Sequence, residues 1–347
     1  MCIFNESVEA VQKTKIFATP IAKLDHNQNL VSRHQLTVYS NKVDNVPQYD
    51  SKTSWTGANN RNFSVDFDVF QGFKIPKKST NAMILPFPLP TGAANILDGF
   101  ENPENCTVNG NADIIKLVNL KNFETKHGKF FKVLENEFPK NLSFSFNGDN
   151  REKTNGSRSA PVLEVVEIGG YRCSVARSIH YFPYIDKNVF QINPQLYHNL
   201  NECYGNNYGF LICSFDVSKR VDTDAVDAHP IAYIHSFVNN SLFIPCRHEH
   251  GGSKKDQEKT ENFDHVIYST NCEIDKKRRL VYSWYAEDVP TTPTKLFGKV
   301  GIETLWDALN VNKDSTGAYS LVNFAQLNKI EIKGSFTNDD ILLPLTK

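Results

Sequence analysis

The side chains of this chain best suited to chemistry crowd between His229 and Tyr268. There HPIAYIHSFVNNSLFIPCRHEHGG is followed, after a charged loop, by NFDHVIY, and the two runs hold five of the ten histidines. Neutral imidazoles brought close together can bind Zn, Fe, Cu or Ni, or pass a proton. Asn239-Asn240 lies between two β-rich runs, and Asn tolerates the positive φ that a two-residue type I′ turn needs at both central positions. That turn sets an expected register: Val238 opposite Ser241, His235 opposite Ile244, Tyr233 opposite Cys246, Ile231 opposite His248 and His229 opposite His250. The pairs from His235 to His229 then share one face, because side chains alternate along a strand. Directly opposed Cβ atoms stand about 4.5–5.5 Å apart, so His229, His248 and His250 are candidate metal ligands. His265, from the run FDHVIY, is the fourth. The expected cofactor is a transition metal such as Zn or Fe; Asp264 and Glu249 alternate away from the neighbouring histidines, which weakens either one as a direct carboxylate ligand. Against this stands a plainer reading in which the histidines pack and bond to backbone. Pro245 marks the second strand as an edge or a bulge, and a shifted register scatters the cluster.

Cys2 is the second candidate. Removal of Met1 would expose a cysteine whose own α-amino group can act as base, as in N-terminal-nucleophile hydrolases. An amine with pKa about 8 and a thiol with pKa about 8.5 make a workable pair at neutral pH. The order of the early strands, with Asn81 opening NAMILPFP as a candidate oxyanion donor, resembles cysteine amidases of that class. The chain departs from their pattern after the nucleophile, where IFNESVEA offers only Asn5 and Glu6. The plainer reading of Cys2 is an incidental thiol.

Bulk properties exclude more than they identify. The 38 basic and 39 acidic residues leave a net charge of -1, which gives no field for nucleic acid or an anionic membrane. Hydrophobic residues make up 40% of the chain, including 24 Phe, which is enough for a real core. MCIFNESVEA has neither the basic nor the apolar region of a secretory signal, and no run of about 18 apolar residues follows. Seven scattered cysteines without a CxxC pair read as reduced thiols. The expectation is a soluble, cytoplasmic protein with no nucleic-acid or membrane partner. It leaves room for a homo-oligomer or an assembly partner.

The elements that must position these residues are mostly strands. TKIFATPI, HQLTVYS, FSVDFDVF, NAMILPFPLP, YGFLICSFDV, FDHVIYS, RRLVYSWYA and LNKIEIKGSF are short, β-branched or aromatic, and bounded by turn formers. VLEVVEI-GG-YRCSVARS reads as a tight hairpin. HGKFFKVLENEFPK reads as a helix, with Phe130, Phe131, Leu134 and Phe138 at helical spacing before Pro139, and GIETLWDALN as another. No Gly-rich phosphate loop, G-x-S-x-G or H-E-x-x-H occurs. The fold class is therefore α+β, predominantly antiparallel β-sheet with a few flanking helices. Residues 1–285 are expected as a single β-rich domain, with loop insertions near 41–62 and 147–160. Residues 286–347 are expected as a C-terminal α+β extension packed on it.

MCIF, KIFA, NAMILPFP, VNLKNF, LEV…GGYRCSVA, YGF and HPIA…LFIPCRHEHGG…FDHVIY occur in one order along roughly residues 1–270. In this the chain resembles an uncharacterised family whose members open with MCIF and carry NAMILP, a GF strand, HP, H-x-H and FDH. The resemblance implies one co-linear domain and no particular chemistry. The chain departs from the family in the Asn-rich stretch near 41–62 and beyond about 285. Three functions remain open: a His-lined, metal-binding site, an N-terminal-nucleophile cysteine hydrolase using Cys2, and a non-catalytic structural or assembly subunit.

Overall fold

The computed structural model describes residues 2–4, 11–24, 30–43, 82–90, 114–136, 163–168, 171–190, 192, 194–215, 230–250, 260–270, 272, 283–284, 318–321 and 327–345. The β-branched and aromatic runs form β1 (Cys2–Phe4), β2 (Val11–Leu24), β3 (Leu30–Val43), β4 (Ala82–Pro88), β5 (Ile115–Val118), β6 (Val166–Ile168), β7 (Tyr171–Ala176) and β8 (Tyr208–Phe215). They continue as β9 (Ile231–His235), β10 (Ser241–Ile244), β11 (His248–His250), β12 (Thr260–Thr270), β13 (Ser283–Trp284), β14 (Ala318–Leu321), β15 (Leu327–Thr337) and β16 (Ile341–Pro344). The described residues also form helices α1 (Lys121–His127), α2 (Phe130–Asn136) and α3 (Pro194–Tyr204), with 3-10 turns at Ile179–Tyr184 and Gly205–Asn207. The class is α+β with antiparallel sheet dominant, as expected. FSVDFDVF, GIETLWDALN and the loops at 44–62 and 147–160 lie outside the described residues.

One sheet runs β11-β1-β4-β8-β7-β6 and a larger one β13-β15-β12-β2-β3-β9-β5, with β14 also pairing β2, while β10 and β16 form a separate ladder. Alternation along the strands sorts the apolar side chains into three clusters. Met83, Leu85 and Leu211 of the first sheet meet Ile16, Tyr39, Tyr233 and Ile267 of the second in an inter-sheet core. On the outer face of the larger sheet, Phe17, Leu36, Val38 and Tyr268 receive Phe123, Phe130, Phe131 and Leu134 from α1 and α2. On the outer face of the smaller sheet, Ile84, Phe210 and Ile212 receive Leu196, Leu200 and Tyr204 from α3. The order is thus helix, sheet, sheet, helix. Each large apolar side chain removed from water contributes roughly 1.5–3 kcal/mol before entropic losses.

Local chemistry explains the breaks between elements. Gly128 ends α1 at φ 87 and Phe130, which opens α2, donates its N–H to Glu124 Oε1. Pro20 lies where β2 passes from its partner β12, paired at residues 15–18, to β14, paired at 21–24, so its missing N–H costs little. Gly209 sits opposite Phe87 in the β4–β8 ladder, and a Cβ there would come within 2.5 Å of the Phe87 ring. This close approach gives the GF pair its physical meaning. No helix among the described residues is long and apolar enough to cross a membrane.

The turn at Asn239-Asn240 forms as expected, with φ of 47° and 56° and Val238 bridged to Ser241. The register extrapolated beyond it does not. β9 is already flanked on both edges, with Leu36 of β3 and Lys116 of β5 both opposite Ile234, so it has no edge left for β10. Instead β10 pairs β16, with Ile244 opposite Ile341, and after Pro245 the chain continues into β11 beside β1. His235 therefore does not face Ile244, nor Ile231 face His248.

Candidate functional site

His248 and His265 meet by another route than the hairpin. β11 lies at one edge of the smaller sheet and β12 lies inside the larger one, and the two rings bridge the sheets with Nε2 to Nε2 at 3.0 Å. Both side chains are buried, His248 at 5% and His265 at 0% exposure. Phe263, two residues before His265 and therefore on the same strand face, walls the pair, with ring centroids 5.0 Å from His248 and 5.1 Å from His265.

The electrostatics follow from that burial. Desolvation, and then the neighbouring His248 ring, hold the His265 pKa well below its ordinary value, so His265 is neutral at physiological pH. A neutral ring has one N–H and one bare nitrogen. His265 Nδ1 is buried without a hydrogen-bond partner, and Asp264 Oδ1 at 3.9 Å is too far to serve. The contact at 3.0 Å needs one proton between the two Nε2 atoms, donated by one ring and accepted by the other. Asp264 is engaged elsewhere. Its Oδ2 accepts the backbone N–H of Lys13, where β2 bulges with Lys13 at φ 53°.

β1 runs parallel to β11, with Cys2 at the register position of His248 and Phe4 at that of His250. Adjacent strands stand about 4.7–4.9 Å apart, so the two candidate sites of the sequence occupy neighbouring backbone positions. His250 lies two positions along β11 from His248. His229 and Asn81 lie outside the described residues. Among the described residues no group of three or more metal-competent side chains converges.

Sequence reasoning missed the residues that hold His248 in place. Asn338 Oδ1 accepts the His248 N–H at 2.6 Å, and Asn338 Nδ2 donates to the His248 carbonyl. Asp340 Oδ1 accepts the N–H groups of Cys246 and Arg247, both at 2.9 Å, and its Oδ2 accepts the Tyr204 hydroxyl at 2.6 Å. In the sequence TNDD is only a polar run between two strands, and nothing local marks it as more than a turn.

A second buried imidazole, His235, serves the core. Its Nδ1 donates to Ser236 O at 2.8 Å, so Nε2 accepts from the Thr37 hydroxyl at 2.9 Å. Thr37 Oγ1 in turn accepts from Gln35 Nε2 at 2.7 Å. Gln35 closes on the Phe243 backbone, donating to its carbonyl at 2.7 Å and accepting from its N–H at 2.8 Å.

No family model matches the chain. Among solved structures it is similar to a mutated baculovirus P35 after caspase cleavage, at 10% identity and a TM-score of 0.39, covering 97% of this chain and 100% of that one. It is also similar to P35 from a caspase-8/P35 complex, at 10% identity and a TM-score of 0.36, covering 97% of each. At these scores the likeness carries no argument about fold or function.

Proposed function

We propose that the protein is a thiol-dependent hydrolase in which Cys2 is the nucleophile, His248 its base and His265 the group that fixes the base. The observation that carries this reading is the register of Cys2 beside His248. A nucleophile, an adjacent imidazole and a third group orienting that imidazole are the parts that thiol catalysis requires. In the first step His248, which donates from Nε2 to His265 and so is unprotonated at Nδ1, takes the thiol proton there, and the sulfur attacks an acyl carbon. The leaving group departs with that proton, and water then cleaves the thioester and restores the thiol. Where Met1 is removed, the Cys2 amine offers a second base for the same step. Asn81 remains the candidate oxyanion donor.

Iodoacetamide labelling of the full chain, mapped by peptide mass against pH, tests the reading. Cys2 should react fastest of the seven thiols, and His248→Gln should slow it about tenfold or more, the usual scale for losing a positioned base. Hydrolysis of p-nitrophenyl acetate should disappear in Cys2→Ser. A Cys2 that labels no faster in the native chain than in denaturant overturns the proposal.

The metal reading draws on the same side chains. Two nitrogens on one tetrahedral zinc at about 2.0–2.1 Å stand roughly 3.3 Å apart, close to the 3.0 Å between the facing Nε2 atoms. Zinc or iron at one equivalent in protein purified without chelator, lost on His265→Leu, would replace the hydrolase by a metal centre. A stable assembly that is inert in both assays would favour the structural subunit.

A further inference from the structure

The outer edge of β11 is closed by side chains rather than by another strand. β11 has three residues and its strand partner β1 lies on one side. A buried backbone N–H or C=O left unpaired on the other side would cost about 1–3 kcal/mol. At His248 both groups are taken by one side-chain amide, that of Asn338, which is itself 1% exposed. The amide presents an acceptor and a donor with the spacing of a peptide group, so Asn338 acts as a one-residue strand. Asp340, two residues on, holds the two preceding N–H groups of Cys246 and Arg247 with a single oxygen. Three consecutive peptide N–H groups are thus fixed by the turn at 338–340, and the last of them belongs to His248.

We infer that Asn338 is a positioning residue, clamping the His248 peptide so that its ring meets His265, with Asp340 steadying the segment that leads into it. This rests on His248 being functional, yet its geometry stands apart from the Cys2 chemistry. Rotation about the His248 backbone moves the ring as a lever. An aligned N–H···N contact at 3.0 Å weakens steeply once the donor swings off axis. Groups that orient a reacting or ligating side chain typically change activity about 10–100-fold when removed.

The test uses full-length protein with 15N-labelled histidines. The His265–His248 contact should give a coupling across the N–H···N hydrogen bond, and Asn338→Ala should abolish it while slowing Cys2 alkylation about tenfold. Asn338→Asp keeps the acceptor for the His248 N–H and loses the donor to its carbonyl. It should show the same loss in part, and it serves if Asn338→Ala does not fold. Gly209→Ala is the control, destabilised at a remote point of the β4–β8 ladder, with the coupling unchanged. A coupling that survives in both Asn338 variants overturns the inference. If the coupling disappears while Cys2 is already unreactive in the native chain, the clamp stands and the hydrolase reading falls.

Discussion

His235 and His265 are both buried imidazoles in this protein, yet their surroundings differ in kind. Around His235 the donors and acceptors close in one direction, from Gln35 through Thr37 and the ring to Ser236 O. Around His265 one nitrogen meets another imidazole and the other makes no hydrogen bond, with Asp264 Oδ1 3.9 Å away. Both regions use the same backbone device: Gln35 takes the N–H and C=O of Phe243, as Asn338 takes those of His248. The lesson is that burial alone does not separate structure from function. A saturated network specifies a core, whereas an unsaturated one carries a cost that a ligand or a water would relieve.

The largest test of this contrast is acid. Burial lowers the His235 pKa to about 3, against 6.5 for an ordinary imidazole. Between those values the unfolded chain binds the proton and the folded one does not, so stability is full above pH 6.5 and falls as the pH drops towards 3. At about 1.36 kcal/mol per unit the loss is on the order of 5 kcal/mol. Urea titrations across that range should show it, with His235→Gln giving a flatter profile. A wild-type profile flat between pH 6.5 and 4 would break the comparison.

Gln35→Ala comes next. It orphans the N–H and C=O of Phe243 as well as removing the donor to Thr37, and each buried orphan costs about 1–3 kcal/mol, so about 3 kcal/mol in total is expected by urea denaturation. Gly209→Ala should cost about 1–3 kcal/mol by forcing the Phe87 ring aside against His235, with the His248–His265 contact unaltered. The smallest effect is the sharpest: replacing both members of the reactive pair, His248→Leu with His265→Leu, removes an unsatisfied polar group along with its partner. Stability should change by less than about 1 kcal/mol, while Cys2 alkylation slows about tenfold or more. A loss as large as that of Gln35→Ala would make the pair a core network like the first.

Much of the fold was legible in the sequence because period-two patterning and turn chemistry are local. The hairpin 166–176, the strands at 82–88 and 208–215, and the positive φ at Asn239 and Asn240 follow from neighbouring residues. Helix α3 escaped notice, although Leu196, Leu200 and Tyr204 recur every four residues and Gly205 follows at φ 53°. Its mixed polar composition hid the stripe.

The sequence by itself determined that His248 and His265 are worth asking about, that Asn239-Asn240 turns, and that the body is antiparallel sheet. Only the tertiary structure decided which strand each histidine faces. Pairing depends on which edges are already occupied, and β9 had none to offer β10. It also decided that Cys2 stands in register with His248, and that a polar turn 90 residues further along the chain grips the His248 peptide. Side chains that satisfy distant backbone groups leave no periodic trace, because the geometry they answer to exists only once the sheets have closed.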